Sequence, residues 1–157
     1  MLLVTDPGME EETIIRLARV GFDNVAGYLD GGFNSWKNAG ENIDLVIDIE
    51  VDELAMDILH DTNSLVVDVR REPEFADGHV ANALNLPLSE MVDVAQIANF
   101  EDHQNLYIHC AGGYRSLIAC SLLKRQGIHN LRNVTGGWAS IKDEPRIEIA
   151  RDVSVLN

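Results

Sequence analysis

Basic residues are scarce in this chain. Its 157 residues include 12 Lys plus Arg against 26 Asp plus Glu, a formal net charge of −14. Such a surface repels phosphate backbones and anionic headgroups, so neither nucleic acid nor a membrane surface is expected as a partner. Long apolar runs are missing as well: none reaches the roughly 20 residues that a bilayer-crossing helix needs, and the start of the chain carries no secretory apolar region. Cysteine is sparse. Cys110 falls in a glycine-containing loop and Cys120 inside the helix expected after it, so the two do not read as a disulfide pair. A reducing, cytoplasmic compartment is therefore expected. The histidines, at positions 60, 79, 103, 109 and 129, show no ligand spacing, and no metal site is expected.

What is present is a chain with 46% hydrophobic residues, enough for a real core. The acidity is uneven: residues 1–57 hold 13 acids and 3 bases, residues 58–157 hold 13 acids and 9 bases. A small anionic substrate would need a local positive site. One segment can supply it. Cys110-Ala-Gly-Gly-Tyr-Arg115-Ser116 follows the apolar run Leu106–His109, which reads as a buried strand, and precedes Leu117–Lys124, whose apolar spacing suits a helix. A thiol at a strand end, in a glycine loop opening into a helix, faces converging backbone N–H groups and a positive helix end. That setting predicts a lowered thiol pKa and a nucleophile, with Arg115 closing the cup. Cys120 reads as core.

Residues 2–37 resemble residues 106–142. Leu2–Gly8 lines up with Leu106–Gly112, Ile14 with Ile118, Gly21–Val25 with Gly127–Leu131, and Gly31-Gly-Phe33 with Gly136-Gly-Trp138, small insertions and deletions being needed. Each copy reads strand, loop, helix, strand, Gly-Gly turn, short helix. The first copy has Asp6 in the place of Cys110 and Glu11 in that of Arg115, so it is expected to be catalytically inactive and to repel anions. Between the copies, Ile47–Val51 reads as a short strand, Val51–His60 as an amphipathic helix, and Leu65–Val69 as a central parallel strand. Arg71–Ala76 reads as a helical turn with Pro73 near its start and Gly78 at its end. Ala83–Pro87 reads as a short strand, Met91–Phe100 as helical or irregular, and Ile147–Asn157 as an edge strand. Strands alternating with helices imply an α/β fold built from parallel βαβ units.

Asp68-Val-Arg70, Glu72-Pro-Glu-Phe75, Gly78-His-Val80, Ala83–Pro87, Cys110–Ser116 and Gly136-Gly-Trp138 occur in an order that resembles the rhodanese (sulfurtransferase) family, over roughly residues 46–146. The resemblance implies a parallel five-stranded sheet with helices on both faces, no cofactor, and a cysteine that carries a persulfide during turnover. It divides the chain into a partial, inactive rhodanese-like segment (1–44), a complete domain (45–146) and a tail (147–157). Such inactive-plus-active pairs resemble the C-terminal region of metallo-β-lactamase-fold proteins related to persulfide dioxygenases. Expected partners are a small sulfur donor and a thiol acceptor, with either a homodimer through residues 1–40 or an upstream domain of a longer chain.

On this resemblance Cys110 is the catalytic residue, and Ala111, Gly112, Gly113, Tyr114, Arg115 and Ser116 form the substrate or anion loop. Arg115 would orient the loop or bind an anionic donor, and Ser116 would cap the helix or donate to the sulfur. Asp68 and Arg70 would brace the loop. His79 reads as structural and Trp138 as core beside the loop. The loop's single base favours a persulfide over doubly charged thiosulfate. Two other readings stand beside this one. A cysteine phosphatase typically has five residues between Cys and Arg, whereas this loop has four; a regulatory module would take up one sulfur, or dock a partner, without turnover.

Overall fold

The computed structural model describes residues 1–19, 21–91, 100–101 and 103–152. It divides into two compact units, Met1–Leu45 and Val46–Asn157.

The larger unit is built on a five-stranded parallel sheet whose strands are β3 (Ile47–Ile49), β4 (Ser64–Asp68), β6 (Leu84–Asn85), β7 (Asn105–His109) and β8 (Leu131–Val134). Their spatial order is β3-β8-β7-β4-β6. The strands β4 and β7 pair over five positions, from Ser64 opposite Asn105 to Asp68 opposite His109. Both are apolar on two sides, as strands covered on both faces must be. On one face Val67, Val69, Leu106, Ile108 and Leu131 pack with Ala119, Cys120 and Leu123 from the helix α5 (Tyr114–Arg125). On the other, Ile49, Val66, Tyr107 and Val134 pack with Leu54, Ala55 and Ile141 from α3 (Val51–His60) and α6 (Trp138–Ile141). Period-two alternation thus carries Leu106 and Ile108 onward to Cys110, which joins the α5 face of the core. Because the sheet is parallel, Asp68, Asn85 and Cys110 all come to the carboxyl edge of their strands, where open α/β sheets place their sites.

The α/β fold with helices on both faces is as expected. α4 (Glu72–Asp77) carries Pro73 in its first turn and ends at Gly78. The tail, expected as an edge strand, holds β9 (Ile149–Ala150), which pairs antiparallel with β5 (His79–Val80) as a separate two-stranded ribbon. Ile147 is buried against the α3 face. The segment expected to be helical or irregular, Met91–Phe100, falls outside the described residues between positions 92 and 99, as does the tail beyond Asp152.

The smaller unit runs β1 (Leu2–Leu3), α1 (Glu10–Ala18), β2 (Gly27–Tyr28) and α2 (Gly32–Asn38), with β1 and β2 parallel. Glu10, Glu11 and Glu12 occupy the first turn of α1, where the positive end of the helix accommodates them. A Cβ on Gly32 would collide with the Thr5 carbonyl, as one on Gly137 would with the Cys110 carbonyl. Leu3 is buried, whereas Ile14 and Phe22 are exposed. No helix among the described residues is long and apolar enough to cross a membrane.

Candidate active site

The site begins where β7 ends. Cys110 is only 1% exposed, and the chain leaves it through Ala111 and Gly112 to Gly113, whose φ of 104° lies in the region that L side chains rarely adopt. That turn aims the Gly113 N–H back at Cys110 Sγ, 3.1 Å away. Gly113 also opens α5, so the sulfur sits at the positive end of a helix. Ser116, fully buried, donates its hydroxyl to the Gly113 carbonyl at 2.8 Å and tightens the first turn. Burial pushes the Cys110 thiol up, but the Ser116 hydroxyl, once its one proton turns from the Gly113 carbonyl to the sulfur, and the N–H groups of Ser116, Gly112 and Gly113 outweigh it, and the net shift is downward.

The loop is held from behind by α6. The Trp138 N–H donates to the Cys110 carbonyl at 2.7 Å and the Ala139 N–H to the Ala111 carbonyl at 3.1 Å. Gly137, at φ 54°, allows this close approach, since a side chain there would strike the Cys110 carbonyl. Beneath lies a buried ionic brace. Arg70 Nη2 donates to Asp68 Oδ2 and to the Gly78 carbonyl, each at 2.6 Å, and the guanidinium stacks 4.4 Å from the Trp138 ring centroid. Asp68 and Arg70 are 0% and 3% exposed, a burial sustained only because each charge is paired. Asn85 Nδ2 donates to the carbonyls of Asp68 and Arg70 at 2.9 and 3.0 Å. His109 Nε2 lies 3.6 Å from Asp68 Oδ2. Burial pushes the His109 pKa down against the pull of Asp68, so the imidazole stays neutral.

Arg115 does not point into the cup as a free cation. Its guanidinium forks onto Glu74, with Nη1–Oε2 at 2.8 Å and Nη2–Oε1 at 2.9 Å. The Arg115 hydrogen bond is the main reason the Glu74 carboxyl is held at a pKa of about 2. The pair ties α5 to α4 and offsets the loop's only positive side chain.

The rhodanese-like domain family model matches residues 51–144. The chain belongs to the rhodanese-like family. It is 30% identical over 98 residues to a sulfurtransferase of Allochromatium vinosum, an overlap of 60% of this chain and 90% of that one. A crystal structure of a rhodanese-like domain protein from Staphylococcus aureus superposes with a TM-score of 0.58 at 33% identity, covering 66% of this chain and 97% of that chain. A thiosulfate sulfurtransferase from Pseudomonas aeruginosa shares the fold, with a TM-score of 0.58 at 20% identity, over 97% of this chain and 32% of its own.

The residues read from the sequence gather at one edge of this rhodanese domain. Cys110, Ala111, Gly112, Gly113, Tyr114, Arg115 and Ser116 form the loop and the first turn of α5, while Asp68 and Arg70 stand behind it. Tyr114 is 79% exposed and makes no part of the cup. His79 is occupied by Phe75: its Nδ1 lies 2.9 Å from the Phe75 carbonyl and the rings stack at 3.8 Å. Sequence reasoning missed Glu74 as the partner of Arg115, Asn85 as a brace, His109 as the neutral neighbour of Asp68, and the α6 N–H groups that hold the loop. The repeated Gly-Gly pair was the signal for the last of these. Nothing local marks the Glu74–Arg115 contact.

Proposed function

We propose that this chain is a rhodanese-type sulfurtransferase, which moves sulfane sulfur from a persulfide or thiosulfate donor to a thiol or cyanide through a Cys110 persulfide. The observation that carries this reading is the Cys110 thiol at the mouth of α5, with backbone N–H groups turned toward its sulfur. Family membership and the similarity to a sulfurtransferase support sulfur transfer as the general role.

Cys110 thiolate attacks the outer sulfur of R–S–SH. A Cys110–S bond forms, the donor S–S bond breaks, and R–S⁻ leaves with the electron pair. With thiosulfate the leaving group is sulfite. The terminal sulfur on Cys110 is then taken by cyanide, which leaves as thiocyanate, or by a thiolate, which leaves as a new persulfide, and the Cys110 thiolate returns. The loop N–H groups hold a sulfur-centred negative charge through both steps without reorganising. Ala111, Gly112, Tyr114 and Ser116 shape the loop, Arg115 positions it through Glu74, and Asp68 and Arg70 brace it. With Arg115 paired, a doubly charged thiosulfate finds no free loop cation, which favours the persulfide donor. The same pairing disfavours phosphatase chemistry, which needs that guanidinium on the phosphate.

Residues 1–44 are read as an inactive rhodanese-like copy, a pairing that in longer chains would follow a metallo-β-lactamase-fold domain. Parallel β1 and β2 around α1 and the Gly31-Gly32 turn support the copy. Thiocyanate formation from a sulfur donor plus cyanide tests the activity. The reading requires thiocyanate from the parent protein and none from Cys110→Ser; phosphate release from a phosphotyrosine analogue without thiocyanate would replace it.

A further inference from the structure

Beside the Cys110 loop lies a depression of about 270 Å³ lined by Val69, Arg71, Pro87, Leu88, Ser89 and Arg115. Its apolar wall is continuous with the packing of the nucleophile, since Val69 and Cys110 belong to one buried cluster against which Leu88 rests. The two cations on it are not equivalent. Arg115 is committed to Glu74 through both Nη atoms. Arg71 gives Glu74 only its backbone N–H, at 3.2 Å; its side chain is exposed and forms no ion pair among the described residues. The depression therefore combines a short apolar wall with one guanidinium that no carboxylate among the described residues engages, next to a sulfur nucleophile.

We propose that this depression binds the organic part of a low-molecular-weight, carboxylate-bearing thiol persulfide, and that Arg71 determines the specificity for it. This rests on the sulfurtransferase reading above. The carboxylate takes the planar fork of Arg71, the carbon skeleton lies on the partly exposed Leu88, backed by the buried Val69 and Pro87, and the outer sulfur reaches Cys110. Free cysteine carries such a carboxylate, and glutathione carries two, on its glycine and γ-glutamyl ends. The volume lies just under the range of roughly 300–1,000 Å³ that drug-sized ligands occupy, which suits a small thiol rather than a polypeptide. Anion recognition is thus displaced from the sulfur itself, where Glu74 has offset the loop cation, to the far end of the donor. On attack, the Cys110–S bond forms, the donor S–S bond breaks, and the carboxylate-bearing thiolate departs from the depression.

The test compares glutathione persulfide with the persulfide of 2-mercaptoethanol, which carries no carboxylate, as donors to the full chain. Arg71→Ala is expected to lower the ratio of their kcat/KM values by about fivefold, the scale of a solvent-facing ion pair, and Arg71→Lys to restore part of it. An unchanged ratio would overturn the proposal. Calorimetric titration of Cys110→Ser protein with reduced glutathione decides the same question without turnover. Binding should weaken about fivefold on adding Arg71→Ala, whereas no binding, or equal binding, rejects the depression as the site. If neither donor places sulfur on Cys110, the sulfurtransferase reading fails and the glutathione titration alone decides whether the depression binds the thiol.

Discussion

Two buried cysteines on one helix-and-loop segment behave oppositely. Cys120 is enclosed by apolar neighbours, and burial pushes its thiol up to about 12. Cys110 feels burial too, but the Ser116, Gly112 and Gly113 donors reverse the outcome. Cys110→Ser is therefore expected to abolish sulfur transfer and Cys120→Ser to keep most of it, read as thiocyanate formed per protein. Below its ordinary value of about 8.5 the Cys110 thiolate persists, so alkylation by iodoacetamide in the Cys120→Ser protein should show a midpoint beneath that pH. Ser116→Ala removes a donor to the anion and should move the midpoint upward. A parent midpoint at or above an ordinary thiol's would contradict the electrostatic account. His109 imposes a separate pH limit. Its folded pKa lies below the unfolded value of about 6.5 because it is buried neutral. The unfolded state then binds the extra proton first, and the fold loses stability as the pH falls through that value.

At the scale of elements, the Glu74–Arg115 fork is the clamp between α4 and α5. The Glu74 pKa is lowered from 4.5 to about 2, so the clamp contributes fully above about 4.5 and is lost as the pH falls toward 2. With side chains 31% and 37% exposed, solvent holds the stability contribution to under about 1 kcal/mol. Glu74→Gln should release Arg115 toward the cup and raise kcat/KM for doubly charged thiosulfate relative to a carboxylate-free persulfide severalfold; Ala111→Lys should move the ratio the same way. A ratio unchanged in both variants would show that loop charge does not select the donor. This clamp could not be read from the sequence, because its partners lie 41 residues apart and meet only once the sheet brings two strand ends together. The loop itself was legible, because Leu106–His109 and Leu65–Val69 are apolar runs that only a strand covered on both faces accommodates, and Gly113 marks the turn. Asp68 and Arg70 were legible from the family pattern alone; their burial and the stacking on Trp138 emerge from packing. Alternation in the tail identified a strand without identifying its partner, which is β5.

At the scale of the whole molecule, the two units differ in what they bury. Both hydrophobic clusters are drawn from residues beyond 45, and they enclose a complete five-stranded sheet. The first unit has a two-stranded sheet, a size seldom stable alone in water, and exposes Leu2, Phe22 and Phe33. Removing residues 1–45 should leave a folded protein that still transfers sulfur, and should abolish any dimer seen by sedimentation of the full chain. A shortened protein that stays dimeric would refute the role of the first unit in association, and one that unfolds would make that unit part of the catalytic core.

The central claim is that Cys110 carries a transferable sulfur, and peptide mass spectrometry after incubation with glutathione persulfide tests it most directly. The account predicts one added sulfur atom on the Cys110 peptide, none on the Cys120 side chain, and its loss on addition of a thiol with the persulfide appearing on that thiol. An unmodified Cys110, or a sulfur that no thiol removes, would contradict it.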